Sequence, residues 1–374
     1  MALILDLTSE VGAYAARLLA ELGHDVVRVE RPDGDALRRL APALGNAEAL
    51  EASAFHHFLN AGKRSFAPNL ATSDGRAAFL KLVAKADAVL ASLPLPVDES
   101  ELWDANPNLL LVRLDDGPPE ICAYARSGLM AITGDPERAP LLLGGHIPHA
   151  AIGAYAAIAA ASALLVKQIS GRGQVVDVFA QQCLDALGEQ VMIEYTNTGD
   201  IMERRGARGG ITAVAGALPC ADGHWMVCVP PTEEGWKNFA QMVGDPAMIA
   251  DESLAQESGR REKRDDILDR VAAWSAADRR DELVREAQAR HIPASPVTTP
   301  ADLVNDPQLL ARGFLQPTEH RDFRSVNLPA GAIAALWNQP MAPAPRLGEH
   351  NRAILAELGY GEAERRSLLA SAFR

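Results

Sequence analysis

The chain has 374 residues, 48% hydrophobic and 23% charged, with a formal net charge of −13; this exceeds what one core usually serves, so two soluble domains are expected. The negative balance, without any cluster of Lys and Arg, excludes nucleic acid as a partner. Cys122, Cys183, Cys220 and Cys228 have neither CxxC nor Cys/His ligand spacing, which excludes a zinc-binding or disulfide framework and fits a reduced, cytoplasmic setting.

The N-terminus, MALILDLTSEVG, lacks the basic segment, apolar run and cleavage site of a signal peptide. Its apolar run LILDL (3–7) predicts a strand. The following TSEVGAYAARLLAELGH has apolar residues at helical spacing, with Ser9 as N-cap and Gly23 as stop, and DVVRVE predicts the next strand. This strand–helix–strand unit is the building block of a parallel sheet. The first turn holds Gly12 but no GxGxxG, so a dinucleotide cofactor is not expected.

The pattern repeats in GRAAFLKLVAKADAVLAS, a helix and a strand, and in NLLLVRLDD, a buried strand, so the first 120 residues predict an open α/β sheet. Residues 150–166 carry no charge. That stretch is short and alanine-rich for a membrane span, and predicts a helix buried in a core or a subunit seam. GRGQVVDV adds a turn and a strand. DIMERRGARGGIT (200–212) reads as a linker, and GALPCADGHWMVCVP as a hairpin with an Asp-Gly turn. Amphipathic helices fill 233–304, with the charge-rich run at 260–285 as a solvated face. A Pro-rich crossover, QPMAPAPRLGEH, leads to a final helix, NRAILAELG. Trp225 is expected to pack in the smaller domain and Cys183 to be inert core.

Seven pieces resemble, in order along nearly the whole chain, the class III CoA-transferases: LDLTSEVGAYAARLLAELGHDVVRVERPDGD, FLNAGKRS, ARSGLMAITGDPERAP, SGRGQVVDV, LPCADGHW, DPQLLARGF and APRLGEHNRAILAELG. That group includes formyl-CoA and carnitine CoA-transferases and the α-methylacyl-CoA racemases. The resemblance implies an α/β fold with an open parallel-sheet large domain built from both chain ends, a smaller α+β domain between them, and an interlocked dimer. The corresponding segments are 1–200, 213–328 and 329–374.

In the family a carboxylate attacks the acyl-CoA thioester, forms an anhydride and then an enzyme thioester, and passes CoA to a second acid, which divides one hard step into easier ones. The aspartate responsible lies in a segment of the form G-x-P-I-x-D-x-x-x-G. Here that segment runs from Gly144 to Gly153, and its aspartate position is His149. An imidazole can form a labile acyl-imidazole but no carboxyl-derived thioester. Where the family often reads E-N-F-R-P-G around CoA, residues 91–96 are ASLPLP; the glycine-rich segment near 115–120 is DDGPPE, with Pro119 where racemases place histidine. By the same resemblance Arg31, Asn60, Lys63 and Arg64 match residues that hold CoA, where cations suit its phosphates, and Glu120 falls at the acidic position beside the reacting centre.

His146 and His149 admit three readings. Their spacing, with Pro148 between them, is poor for a metal, and none is expected. His149 as a general base would suit proton removal α to a thioester. It could also fill space at a helix start. Glu120 is a partner acid or base, or a helix-dipole residue; Lys63 and Arg64 are phosphate contacts or solvated cations.

Three functions follow. The chain is a non-catalytic subunit paired with an Asp-bearing homologue, a racemase, hydratase or lyase using His149 and Glu120, or a homodimer with a relocated carboxylate. Coenzyme A thioester is expected as substrate, with no permanently bound cofactor; the partner is a homologous subunit or a second copy, and neither nucleic acid nor membrane.

Overall fold

The N-terminal apolar run forms β1 (Leu3–Leu7), followed by α1 (Ala13–Glu21) and β2 (Asp25–Val29) in a structure, a computed structural model, that describes residues 1–44, 50–209, 212–320, 323–329 and 341–373. Alternation continues through α2 (Ala54–Asn60), β3 (Arg64–Phe66), α3 (Ser73–Val83), β4 (Ala88–Ser92), α4 (Glu99–Ala105), β5 (Leu110–Asp115) and α5 (Glu120–Arg126). Next come α6 (Ile147–Ser170), β6 (Gln174–Phe179), α7 (Ala180–Leu187) and α8 (Glu189–Thr198). The six strands pair in parallel in the order β3-β2-β1-β4-β5-β6, the α/β architecture expected.

Successive residues feed opposite faces of the sheet, as the strand period of two requires. Ile4, Leu110 and Val112 pack with Leu19, Ile152, Ala156 and Ala160 on one face. Leu5, Val27 and Leu111 pack with Phe79, Leu82, Ile354 and Leu355 on the other.

Helix α1 begins later than expected. Its N-cap is Gly12, whereas the Ser9 hydroxyl accepts from Val11 N at 3.2 Å and the Ser9 N–H donates to Ser92 Oγ at 2.9 Å. A Cβ on Gly12 would lie 2.7 Å from Leu114 Cδ2, so a side chain there would press the loop off the sheet. Gly23 does stop α1, at φ +83°. Helix α6 spans 24 residues, starts at His146 in the left-handed region with Pro148 in its first turn, and stops at left-handed Gly171. By length and composition it could cross a membrane, yet its Ile152, Ala156, Ala160 and Ala163 face is committed to the sheet core.

The chain divides into two compact units: Met1–Leu129, Leu142–Asn197 and Pro307–Arg374, and Met130–Leu141 with Thr198–Asp306. In the smaller unit, β7 (Ala215–Cys220) and β8 (Gly223–Cys228) precede α9 (Glu233–Val243), α10 (Pro246–Ala250), α11 (Glu257–Glu262), α12 (Arg264–Ser275), α13 (Arg280–Ala289), β9 (Ala294–Pro296) and α14 (Pro300–Leu303). Cys220 pairs with Gly223, so Ala221-Asp222 forms the hairpin turn rather than Asp222-Gly223. Trp225 is fully buried and packs edge-on against Trp274. Arg260, expected on a solvated face, is buried: it donates to the carbonyls of Leu254 and Ala255 and pairs with Glu257.

The first unit resumes with α15 (Pro307–Ala311), the hairpin β10 (Leu315–His320) and β11 (Phe323–Pro329), α16 (Asn351–Glu357) and α17 (Glu362–Ser371). The expected division placed that hairpin in 213–328; by contacts it groups with the large unit. Helix α17 was not foreseen and extends the chain beyond the expected final helix. Of the expected linker and crossover, residues 210–211 and 339–340 lie outside the described residues, as do 45–49, 321–322, 330–338 and 374 of the expected domain segments. From Met341 the return is tight. Gly62 N–H donates to Ala342 O, Gly348 N–H to Ser65 Oγ, and Ala67 N–H to Asn351 Oδ1.

Candidate active site

Strand β1 lies between β2 and β4, so the connections diverge at its carboxyl end, where open parallel sheets present ligand crevices. Two cavities of about 740 and 720 Å³ lie there and share Thr8, Ser9, Arg28, Asp35 and Asp116.

The floor is an ionic network. Asp6 and Arg28 are register partners on β1 and β2. Asp6 Oδ1 accepts from Arg28 Nη1 at 2.9 Å and from the Thr8 hydroxyl at 2.7 Å; Oδ2 accepts from Lys63 Nζ at 2.8 Å. Burial acts to raise the Asp6 carboxyl, but Arg28 and Lys63 outweigh it and hold it at about 2. Arg28 also donates to Thr8 O at 2.6 Å and pairs with Asp35. These bonds fix the β1–α1 loop that carries Glu10. Ser9 N–H to Ser92 Oγ, and Ser92 Oγ–H to Asp116 Oδ1 at 2.8 Å, tie together the ends of β1, β4 and β5. Burial pushes the Asp116 carboxyl up, with the serine hydroxyls opposing.

Above this floor four groups meet at the start of α6. His149 lines the 720 Å³ cavity with Glu10, Asp116 and Glu120. Its Nδ1 is 3.5 Å from Glu10 Oε1; His146 Nδ1 is 3.6 Å from Glu10 Oε1 and 3.6 Å from Glu120 Oε2. The His146 ring lies 4.9 Å from Phe55 and 5.9 Å from His149, centroid to centroid. The expected His149–Glu120 pair is therefore crossed: Glu120 faces His146, and His149 faces Glu10. Glu120 opens α5, where it also complements the helix dipole.

The residues matched to CoA binding part company. Arg31 is exposed and lines the 740 Å³ cavity beside Leu93, Pro94 and Pro96 of the altered loop. Asn60 and Lys63 are buried: Lys63 Nζ donates to Asp6, to Asn60 Oδ1 at 3.0 Å and to Ala13 O at 3.3 Å, so neither is presented to a phosphate. Arg64 is held by Asp25 at 2.7 Å and Glu357 at 2.9 Å. In this structure all three are engaged by neighbouring protein groups. Glu10 and Asp116 went unnoticed in the sequence, and an acidic residue between a strand and a helix was the available signal.

The chain matches the family model for CoA-transferase family III over residues 3–351. It is 30% identical to the succinyl-CoA–D-citramalate CoA-transferase of Chloroflexus aurantiacus, over 93% of this chain and 90% of that protein. It is also 30% identical to the succinyl-CoA:(R)-benzylsuccinate CoA-transferase subunit BbsE of Thauera aromatica, over 98% and 95%. A CAIB/BAIF family protein from Brucella suis has the same fold, with a TM-score of 0.81 and 26% identity over 96% of this chain and 98% of that one. Sheet order, crevice and matches agree: the chain belongs to CoA-transferase family III.

Proposed function

We propose that this chain is a subunit of a CoA-transferase that moves CoA between a carboxylic acid and an acyl-CoA thioester, and that a homologous Asp-bearing subunit performs the covalent step. One observation carries the reading. The position where the resemblance expects the attacking carboxylate holds His149, which lines the cavity and cannot form the enzyme thioester on which the relay depends.

Charge and surface support it. Around the cavities Arg28 is already neutralised by Asp6 and Asp35, and Glu30 by Arg38, while Asp116 adds a carboxyl; Arg31, held only by an exposed 3.3 Å contact with Asp33, is then the lining cation best placed to meet a phosphate among the described residues. A second chain would supply the rest. The outer faces of α6 and α8 expose Ile158 (65%), Ile169 (79%), Ile193 and Tyr195, an apolar surface of the kind that subunits cover. BbsE, similar along nearly the whole chain, is itself named as a subunit.

Native mass spectrometry of the protein drawn from its own host tests this. A heteromer with a homologous chain bearing aspartate at the equivalent position is the expected result; a fully active homodimer overturns it. A second reading rests on Glu10, Asp116 and Glu120 lining the cavity together with His149. One of these carboxylates would then be the nucleophile, in a homodimer, and trapping with hydroxylamine would mark it.

A further inference from the structure

Three donors converge where α6 begins. Glu10 Oε1, His146 Nδ1 and His149 Nδ1 all lie within 4.8 Å of one another. The two edges from Glu10 measure 3.6 and 3.5 Å. A tetrahedral zinc ion with bonds of about 2.1 Å places its ligand atoms about 3.4 Å apart, so both edges fit to within ~0.2 Å. As hydrogen bonds the same contacts are too long.

A second observation adds burial to those distances. His149 Nδ1 is buried without a hydrogen-bond partner, and so is Glu120 Oε1. Buried polar atoms are nearly always satisfied, and an unpaired imidazole nitrogen facing a carboxylate calls for an acceptor of its lone pair or a donor to share. Glu120 Oε2, 3.6 Å from His146 Nδ1, stands ready as a fourth ligand or as the holder of a metal-bound water.

The geometry points to a divalent transition-metal site formed by Glu10, His146 and His149, with Glu120 beside it. Two imidazole nitrogens and a carboxylate oxygen suit Zn²⁺, Co²⁺ or Ni²⁺, whereas Mg²⁺ and Ca²⁺ take oxygen shells. His146 is half-exposed and the cavity is lined by the other three residues, so an open coordination position faces the space where a carboxylate or thioester oxygen would enter. Chain spacing gave this site poor support because His-x-x-His with an intervening proline is a weak ligand pattern and no third ligand was evident. The structure supplies what the pattern lacked: the His146 ring, on a left-handed backbone (φ 54°), lies within 22° of parallel to that of His149, and Glu10 arrives as third ligand from the β1–α1 loop.

The test uses the full chain, stripped with chelator and dialysed against Zn²⁺ or Co²⁺ alone. One ion per chain, and a visible Co²⁺ spectrum of low-symmetry N/O coordination, are expected. Glu10→Gln and His149→Ala should abolish stoichiometric binding, and Glu120→Gln should weaken it by about 10-fold, the usual effect of losing a supporting group. His149→Gln, which keeps a polar side chain of similar size, should also lose the ion while retaining the wild-type circular dichroism; His224→Ala, on β8 of the smaller unit, should bind normally. Absence of saturable binding by the wild type, or equal binding by Glu10→Gln and His149→Gln, would overturn the site. Ion binding is read without turnover or a partner subunit, so that outcome leaves the CoA-transferase reading intact.

Discussion

Replacing Lys63 and Asp6, singly and together, separates a structural cation from a ligand-binding one. In Asp6→Asn the Lys63 ammonium keeps only the neutral acceptors Asn60 Oδ1 and Ala13 O, while Arg28 retains Asp35. An uncompensated buried charge costs about 3–5 kcal/mol. Lys63→Met is milder: Asp6 keeps Arg28 and both bonds from Thr8, so about 2–3 kcal/mol is expected. The double variant removes both charges and leaves the Arg28–Asp35 pair intact, so its cost should fall short of the sum by about 2 kcal/mol, within the range seen for contacting residues. Urea denaturation of the four proteins measures this. Additivity to within about 0.5 kcal/mol would refute the network. So would a Lys63→Met protein of wild-type stability that has lost CoA affinity tenfold, since the ammonium would then belong to the ligand.

The same carboxylate sets an acid limb. The folded pKa of Asp6 is depressed from 3.8 to about 2, so its stabilisation is fully present above pH ~4 and lost as pH falls toward 2, a change of about 2–3 kcal/mol that Asp6→Asn should lack in pH-dependent denaturation. At the α1–α6 crossing, a Cβ on Gly153 would sit 2.8 Å from Tyr14 Cβ and 3.2 Å from Ala15 N. Alanine gains about 1 kcal/mol of helix propensity, but overpacking costs about 1–3 kcal/mol, so Gly153→Ala should lower Tm by a few degrees; a rise would show that α1 yields freely. On the outer faces, Ile158→Glu and Ile193→Glu should dissociate the assembly in light scattering without loss of helix, and an unchanged mass would remove those faces from the subunit seam.

Strand and helix order was legible because buried parallel strands and amphipathic helices follow one-dimensional periods. Gly23 and the charge-free run of α6 marked their elements directly. The site was harder, since its groups come together only through sheet register. Lys63 and Asn60 occur in a short polar motif whose residue types suit phosphate, but nothing in that motif reveals burial. The overlooked clue was Asp6 within LILDL and Arg28 within DVVRV: opposite charges in strands buried on both faces must be paired, and their register makes them neighbours. Glu10 was assigned to a helix start, since the apolar period of α1 runs back past Gly12 and only the packing of Gly12 against Leu114 shows where the loop ends. The crossed pairing of two histidines with two glutamates depends on the left-handed turn at His146, which Asn, Asp or Gly would have signalled more plainly.

The most direct measurement is mass-spectrometric mapping of adducts after the isolated chain is incubated with acyl-CoA, with and without a carboxylic acid acceptor, and quenched with hydroxylamine. The account predicts no hydroxamate on any Asp or Glu of this chain and no CoA transfer until the Asp-bearing subunit is added. A hydroxamate on Glu10, Asp116 or Glu120, accompanied by transfer from the chain alone, would contradict it.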